Sequence, residues 1–121
     1  MRIAGIIAEY DPFHSGHAYH IAKTKELCDA VVVVLGGELT QRGEPAWCSK
    51  NLRTKCALAC GADLVLELPA YYACASAERF AGGGVAVLSA LGCVNFLSFG
   101  SECGSAADIM AFAELSDTPE F

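Results

Sequence analysis

The chain has 121 residues, 54% hydrophobic and 18% charged, with 8 Lys and Arg against 14 Asp and Glu for a formal charge of -6. That length and apolar content suit one globular domain with a real core. The acid excess, with no Lys/Arg run, excludes a broad polyanion-gripping surface; contact with a nucleic acid would need a local patch, another segment or another subunit.

Ile3–Ala8 is a short apolar run without polar alternation, the pattern of a strand buried on both faces. The loop "EYDPFHSGH" follows, then a helix with Ala18, Ile21, Ala22, Lys25 and Cys28 on one face and Lys23 and Glu26 off it. Ala30–Leu35 is a second such strand, ended by "GGELTQRGE". The next helix opens on the capping residue Ser49, runs to Cys60 and stops at Gly61. Asp63–Leu68 is the third strand, closing on "ELP". A third helix is expected from Ser76 to Leu91, bent or broken by Gly82, Gly83 and Gly84 and ended before Gly92. Val94–Phe99 is the fourth strand and runs into "FGSE"; a fourth helix is expected from Ser105, where Asp108 completes an S-x-x-D capping pattern. The domain is set at residues 1–115, with "SDTPEF" at 116–121 as a fraying tail.

Strand and helix alternate, and right-handed crossovers then give an α/β, Rossmann-like open parallel sheet with helices on both faces. Ligands of such sheets bind at the carboxyl ends of the strands, near the switch in strand order. The unusual polar residues fall in the loops at those ends, so segments far apart in sequence are expected to meet on one edge.

No stretch reaches the ~18 unbroken apolar residues of a membrane span. Met1 leads straight into a strand-like run rather than a charged leader, so no membrane partner and a cytoplasmic location are expected. The cysteines, at 28, 48, 56, 60, 74, 93 and 103, are never spaced C-x-x-C and read as reduced, buried small hydrophobes. Cys56 and Cys60 sit one helical turn apart, but two thiols do not close a zinc site and no metal is predicted there.

His14, His17 and His20 recur three residues apart. His20, one turn into the helix, reads as an ordinary helix-face residue. His14 and His17 flank Gly16 at a strand-to-helix turn, where unpaired backbone N–H groups and the positive end of the helix dipole favour an anion. An imidazole there can donate to a phosphate oxygen, and Gly16 lets the backbone approach without a Cβ in the way. A metal held by all three histidines is the weaker alternative, because a strand-loop-helix trace points the first away from the third. Nucleophilic catalysis by Ser15, Ser101 or a cysteine lacks its signatures, there being no G-x-S-x-G elbow.

The stretches "GIIAEYDPFHSGHAYH", "QRGEP", "DLVLELP", "SAERFA" and "FGSE", in that order, resemble the tRNA(Met) cytidine acetate ligase family within the HxGH nucleotidyltransferase superfamily. The resemblance implies that ATP, as a substrate accompanied by Mg²⁺, adenylates acetate, and that the acetyl group passes to the wobble cytidine of elongator tRNA(Met). It implies an ATP site at Ile7, Ala8, Glu9, Tyr10, Asp11, Pro12, Phe13, His14, Ser15, Gly16, His17, Ala18, Tyr19 and His20, plus Gly100, with His14 and His17 as the catalytic phosphate donors. Lys23, Arg42, Lys50 and Arg53 are candidates for holding pyrophosphate, acetate or tRNA.

Two departures stand out: the family usually has Asn at Asp11, and Ser-Gly-Asn at Gly36, Gly37 and Glu38. Each adds a carboxylate that would repel ATP or recruit a cation. Family members are also much longer, so the chain reads as the N-terminal nucleotidyltransferase core or a short relative, with tRNA contacts outside it. Another HxGH adenylyltransferase acting on a phosphorylated cofactor precursor, and a non-catalytic nucleotide-binding module, are the alternatives.

Overall fold

The computed structural model describes residues 1–40, 43–73, 76–100 and 110–114. One five-stranded sheet has the order β3-β2-β1-β4-β5. Strands β1 (Ile3–Ala8), β2 (Ala30–Gly36), β3 (Leu64–Leu68) and β4 (Phe96–Gly100) run parallel. The register from Ile3↔Ala30 to Ala8↔Leu35 brings the carboxyl ends of β1 and β2 level, which puts their following loops side by side.

The parallel sheet is as expected, but its edge is not. Residues 110–114, in the region assigned to a fourth helix, form β5 (Met110–Glu114), antiparallel to β4. An S-x-x-D pattern marks only a possible helix start, whereas pairing along β4 satisfies backbone groups that an open edge would leave unmet. Ser105 and Asp108, the tail at 116–121 and its boundary at 115 lie outside the described residues.

Every residue of β2 from Val31 to Gly36 is buried, because helices cover both faces. On one face α1 (Ser15–Lys25) and α2 (Lys50–Ala59) bring Ile21 and Ala57 against Ile6, Val31, Val33 and Leu35. On the other, α3 (Ala70–Ala73) and α4 (Ala77–Leu91) bring Ala73, Val85 and Leu88 against Val32, Val34 and Leu68. Each fully buried Val or Leu contributes roughly 1.5–3 kcal/mol of hydrophobic stabilisation.

The glycine triplet does not break α4, which is continuous for 15 residues. Ser76 Oγ accepts from Arg79 N–H at its start, and Gly92, at φ 73, ends it in the left-handed region. Two of the glycines are instead points of close approach: a Cβ on Gly84 would lie 2.6 Å from Ile7 Cδ1, and one on Gly83 2.5 Å from Tyr72 Cγ. Backbone contact with β1 and α3 therefore accounts for them, and the caps and packing offset the ~1 kcal/mol that each glycine costs a helix.

The inner face of α1 also differs from the expected stripe. Ile21 and Thr24 are its buried residues, and Ala22 is exposed. Among the described cysteines, Cys28, Cys48, Cys56 and Cys60 are half-buried free thiols and Cys93 is exposed, so full burial overstated their position. Cys74 and Cys103 lie outside the described residues. Among those residues, no helix is long and apolar enough to cross a membrane.

Candidate functional site

The chain leaves β1 toward β2 and β3, then crosses back to lay β4 on the other side of β1. The carboxyl ends of β1 and β4 therefore flank the switch in strand order, where open α/β sheets bind ligands. A cavity of about 620 Å³ opens at that point. Its floor is Ile6, Ile7 and Ala8 at the end of β1; Glu9, Tyr10, Asp11 and Pro12 form the turn above it. His14, His17 and His20 of the α1 segment form one wall, with Phe80 of α4 and Phe99 of β4 completing it.

Tyr10 turns the chain with φ 53, a conformation that bulky side chains rarely adopt. Its ring is buried, edge-on to Phe13 at 4.8 Å and tilted against His17 at 4.7 Å. This packing aims the chain into α1, whose N-cap is His14. His14 Nδ1 accepts from Gly16 N–H at 3.0 Å, and His17 Nδ1 accepts from His14 N–H at 3.2 Å. The two imidazoles thus close a reciprocal capping box, a part that Ser and Glu more often play.

This arrangement determines what the two rings can do. Both Nδ1 atoms are acceptors, so in the neutral imidazoles the proton is on Nε2, and each ring offers one outward N–H donor. The rings stack with centroids 3.7 Å apart and planes at 22°, placing the two donors side by side. Burial, then the neighbouring His14 and His20, lowers the His17 pKa to about 4, so that ring is neutral at pH 7. Most of the backbone N–H groups expected to be unpaired at this helix start have partners. Gly16 and His14 N–H donate to imidazoles, and His17 N–H donates to His14 O at 3.0 Å. Gly16 has a local reason as well, since a Cβ there would sit 2.9 Å from His14 Cε1.

His20 is wired differently from its neighbours. Its Nε2 lies 3.0 Å from Ser98 Oγ on β4, and Ser98 Oγ lies 2.8 Å from Thr24 Oγ1. Thr24 donates in turn to His20 O at 2.8 Å. With their Nδ1 atoms engaged by backbone donors, His14 and His17 do not converge with His20 as metal ligands. Among the described residues no group of three or more His, Cys, Asp or Glu could hold a metal ion.

The added carboxylates are both engaged by backbone donors. Asp11 Oδ2 and Oδ1 accept from Trp47 and Cys48 N–H, each at 2.9 Å. Glu38 Oε1 accepts from Lys50 N–H at 2.8 Å, at the positive end of α2, where a carboxylate is favoured. Of the four candidate cations, Arg53 is 1% exposed. Its guanidinium donates to Cys48 O at 3.0 Å, to Glu9 O and Gly36 O at 2.8 Å, and to Gly37 O. It is a strut between the loops that follow β1 and β2 and does not line the cavity. Lys50 pairs with Glu67 at 2.8 Å, away from the cavity wall, and Lys23 pairs with Glu26 at 3.8 Å. Arg42 lies outside the described residues.

The chain matches the HIGH Nucleotidyl Transferase family over residues 1–120. It belongs to that family. Relatives include the tRNA(Met) cytidine acetate ligase of Caldicellulosiruptor bescii, 56% identical over 106 residues, which are 86% of this chain and 26% of that protein. That of Clostridium novyi is 49% identical over 117 residues, 95% of this chain and 29% of that protein. Among solved structures, Thermotoga maritima TmcAL bound with alpha-thio ATP superposes with a TM-score of 0.80 at 46% identity, covering 84% of this chain and 25% of that one. The chain therefore spans about a quarter of the length of the relatives it matches.

For this HIGH nucleotidyl transferase the stretch from Ile7 to His20 divides in two. Ile7, Ala8, Glu9, Tyr10, Asp11, Pro12, His14, His17 and His20 line the cavity. Phe13, Ser15, Gly16, Ala18 and Tyr19 are not on its wall: Phe13 packs on the core, and Gly16 shapes the cap. Gly100 ends β4 at the same edge, next to the wall residue Phe99. Sequence reasoning missed Thr24 and Ser98. A lone serine inside the apolar run "FLSFG" was the available signal, since a buried hydroxyl needs a partner.

Proposed function

We propose that the chain is the nucleotidyltransferase core of a tRNA(Met) cytidine acetate ligase, binding ATP in the switch-point cavity. An acetate oxygen attacks the α-phosphorus, the bond to the bridging oxygen breaks, and pyrophosphate leaves with the electron pair. The cytidine amine then attacks the acetyl carbonyl, AMP leaves, and the amine loses a proton. The observation that carries this reading is the stacked pair His14 and His17, with two Nε2–H donors at the end of β1. The identity to named acetate ligases, and a similar chain solved with alpha-thio ATP, support it.

Neutral imidazole donors suit this chemistry. Phosphoryl transfer needs alignment and stabilisation of charge on non-bridging oxygens rather than covalent help. Two fixed N–H groups supply that with no reorganisation, each worth about 3 kcal/mol in the transition state. Mg²⁺ would arrive on the triphosphate and keep several waters, as it commonly does, sharing the same charge. With Asp11 and Glu38 engaged by N–H groups, neither carboxylate is left unpaired toward the phosphates.

The balance of -6 disfavours an RNA-gripping surface on this chain, which supports tRNA contact mainly through a further region of the longer protein. The likeness to tRNA-modifying ligases supports a cytoplasmic location. Incubating the protein with ATP, acetate and tRNA(Met) tests the reading by mass spectrometry of the wobble cytidine. Acetate-dependent pyrophosphate release is expected of the chain, weak without the rest of the longer protein, and acetylated cytidine once that region is supplied. Pyrophosphate release only with a phosphorylated cofactor precursor, or ATP binding without turnover, would transfer the site to one of the two alternative functions.

A further inference from the structure

The three histidines on the cavity wall do not offer a ligand the same chemistry. A hydroxyl carries one proton. Thr24 gives its proton to His20 O, a carbonyl that can only accept, so the 2.8 Å contact between Thr24 and Ser98 must carry the Ser98 proton toward Thr24. Ser98 Oγ then has only lone pairs left for His20, and the 3.0 Å contact must be a bond donated by His20 Nε2–H. The ring of His20 closes a loop of three hydrogen bonds that returns to its own carbonyl.

The neutral ring has one proton, already placed on Nε2, so Nδ1 is a bare lone pair. Thr24 and Ser98 are 0% and 1% exposed, so water does not compete for these bonds. Tyr10 Oη is the only buried side-chain polar atom without a partner among the described residues. Among the described residues His20 Nδ1 has no partner either, so it is not buried, and His20 lines the cavity. Burial lowers the His20 pKa, which favours this neutral form.

We propose that Thr24 and Ser98 are positioning residues that hold His20 in its Nε2–H form, so that Nδ1 accepts a hydrogen bond from a donor on the nucleoside of the bound nucleotide. A fully ionised triphosphate has no proton to donate, so a lone pair repels it. A ribose hydroxyl or the base amine does have one. His14 and His17 thus serve the phosphates as donors, and His20 reads the nucleoside as an acceptor. This inference rests on the nucleotide-binding reading of the cavity and adds to it which part of the nucleotide meets which ring.

The decisive variant is Thr24→Val, nearly isosteric but unable to accept the Ser98 proton. Ser98 is then free to donate to His20 Nε2, which drives the ring proton to Nδ1 and turns the acceptor into a donor. Thr24→Ser keeps the hydroxyl and is the conservative control. Nitrogen-15 NMR of the imidazole is expected to report Nε2–H in the parent protein and in Thr24→Ser, and Nδ1–H in Thr24→Val.

Calorimetry is run in parallel with ATP, 2′-deoxy-ATP, 3′-deoxy-ATP and purine riboside triphosphate. One analogue, the one missing the donor that His20 reads, should bind the parent roughly tenfold more weakly than ATP, or about 1.4 kcal/mol. Thr24→Val should lose the same factor for ATP and nothing further for that analogue. His20→Phe, which leaves Thr24 and Ser98 untouched, should behave likewise and serves if Thr24→Val fails to fold. An Nδ1–H ring in the parent, or equal losses for all four nucleotides in every variant, would overturn the proposal. If ATP itself did not bind, the nucleotide reading of the cavity would fall, a result distinct from ATP binding without discrimination.

Discussion

Gly16→Ala separates the stability of the fold from the competence of the site. The new Cβ would lie 2.9 Å from His14 Cε1 and 3.1 Å from Nδ1, so the imidazole must leave its place over the helix end. His14 is exposed and can swing into solvent. Losing its cap bond to Gly16 N–H costs ~1 kcal/mol, and alanine recovers about 0.8–1.0 kcal/mol of helix propensity. These nearly cancel, and Tm should stay within about 3 °C of the parent.

The functional loss has no such offset. The displaced ring takes its Nε2–H donor out of register with His17 and breaks the 3.7 Å stack. One lost phosphate donor corresponds to roughly a hundredfold or more in turnover. Acetate-dependent ATP–pyrophosphate exchange gives the rate, and thermal unfolding gives Tm. Parent-like exchange in Gly16→Ala would refute the reasoning, because the ring position would then not matter. A large drop in Tm in proportion to the activity would refute it too, since the glycine would then be a folding residue.

His17→Gln keeps a capping-box acceptor at the same helical position but cannot titrate. The folded His17 pKa lies near 4, below its ordinary 6.5, so between those pH values the unfolded chain binds a proton that the folded chain refuses. His17 therefore costs the parent stability as pH falls through that window, and a Tm series against pH should be flatter in His17→Gln; parallel curves would contradict the shift. Arg53→Met leaves the carbonyls of Glu9, Gly36, Gly37 and Cys48 short of a donor. A loss of at least about 3 kcal/mol in urea unfolding is expected, and a loss under ~1 kcal/mol would mean the strut is dispensable. Asp11→Asn turns one of two acceptors into a donor facing Trp47 or Cys48 N–H, so stability should fall by about 1–2 kcal/mol with no gain in ATP affinity. An affinity gain of about tenfold by calorimetry would show that the carboxylate repels phosphate after all.

Much of the fold was legible because its signals are local. The apolar runs mark β1 to β4 to within two residues, and Ser49, Ser76 and Gly92 cap their helices through bonds to residues three apart or through a single dihedral. The switch-point position of the HxGH turn followed from the alternation of strand and helix. Lys23 and Arg53 were not legible as an outer cation and an internal strut, because "KTKE" and "NLRTK" look equally solvated on paper.

The sequence alone determined the α/β order, the parallel core and the turn that pairs His14 with His17, since periodicity and capping act within a few residues. Only the tertiary structure decided that Gly83 and Gly84 are contact points in an unbroken helix, that a fifth strand lies antiparallel, and that Thr24 reaches Ser98. Those outcomes depend on which surfaces the crossovers press together. Thr24 and Ser98 are 74 residues apart, and Arg53 is 44 from the Glu9 carbonyl it binds, separations over which no local pattern acts. Proton placement on His20 depends on the same long-range contacts, so an imidazole that looked ordinary in sequence acquired a definite acceptor only when β4 was laid against α1.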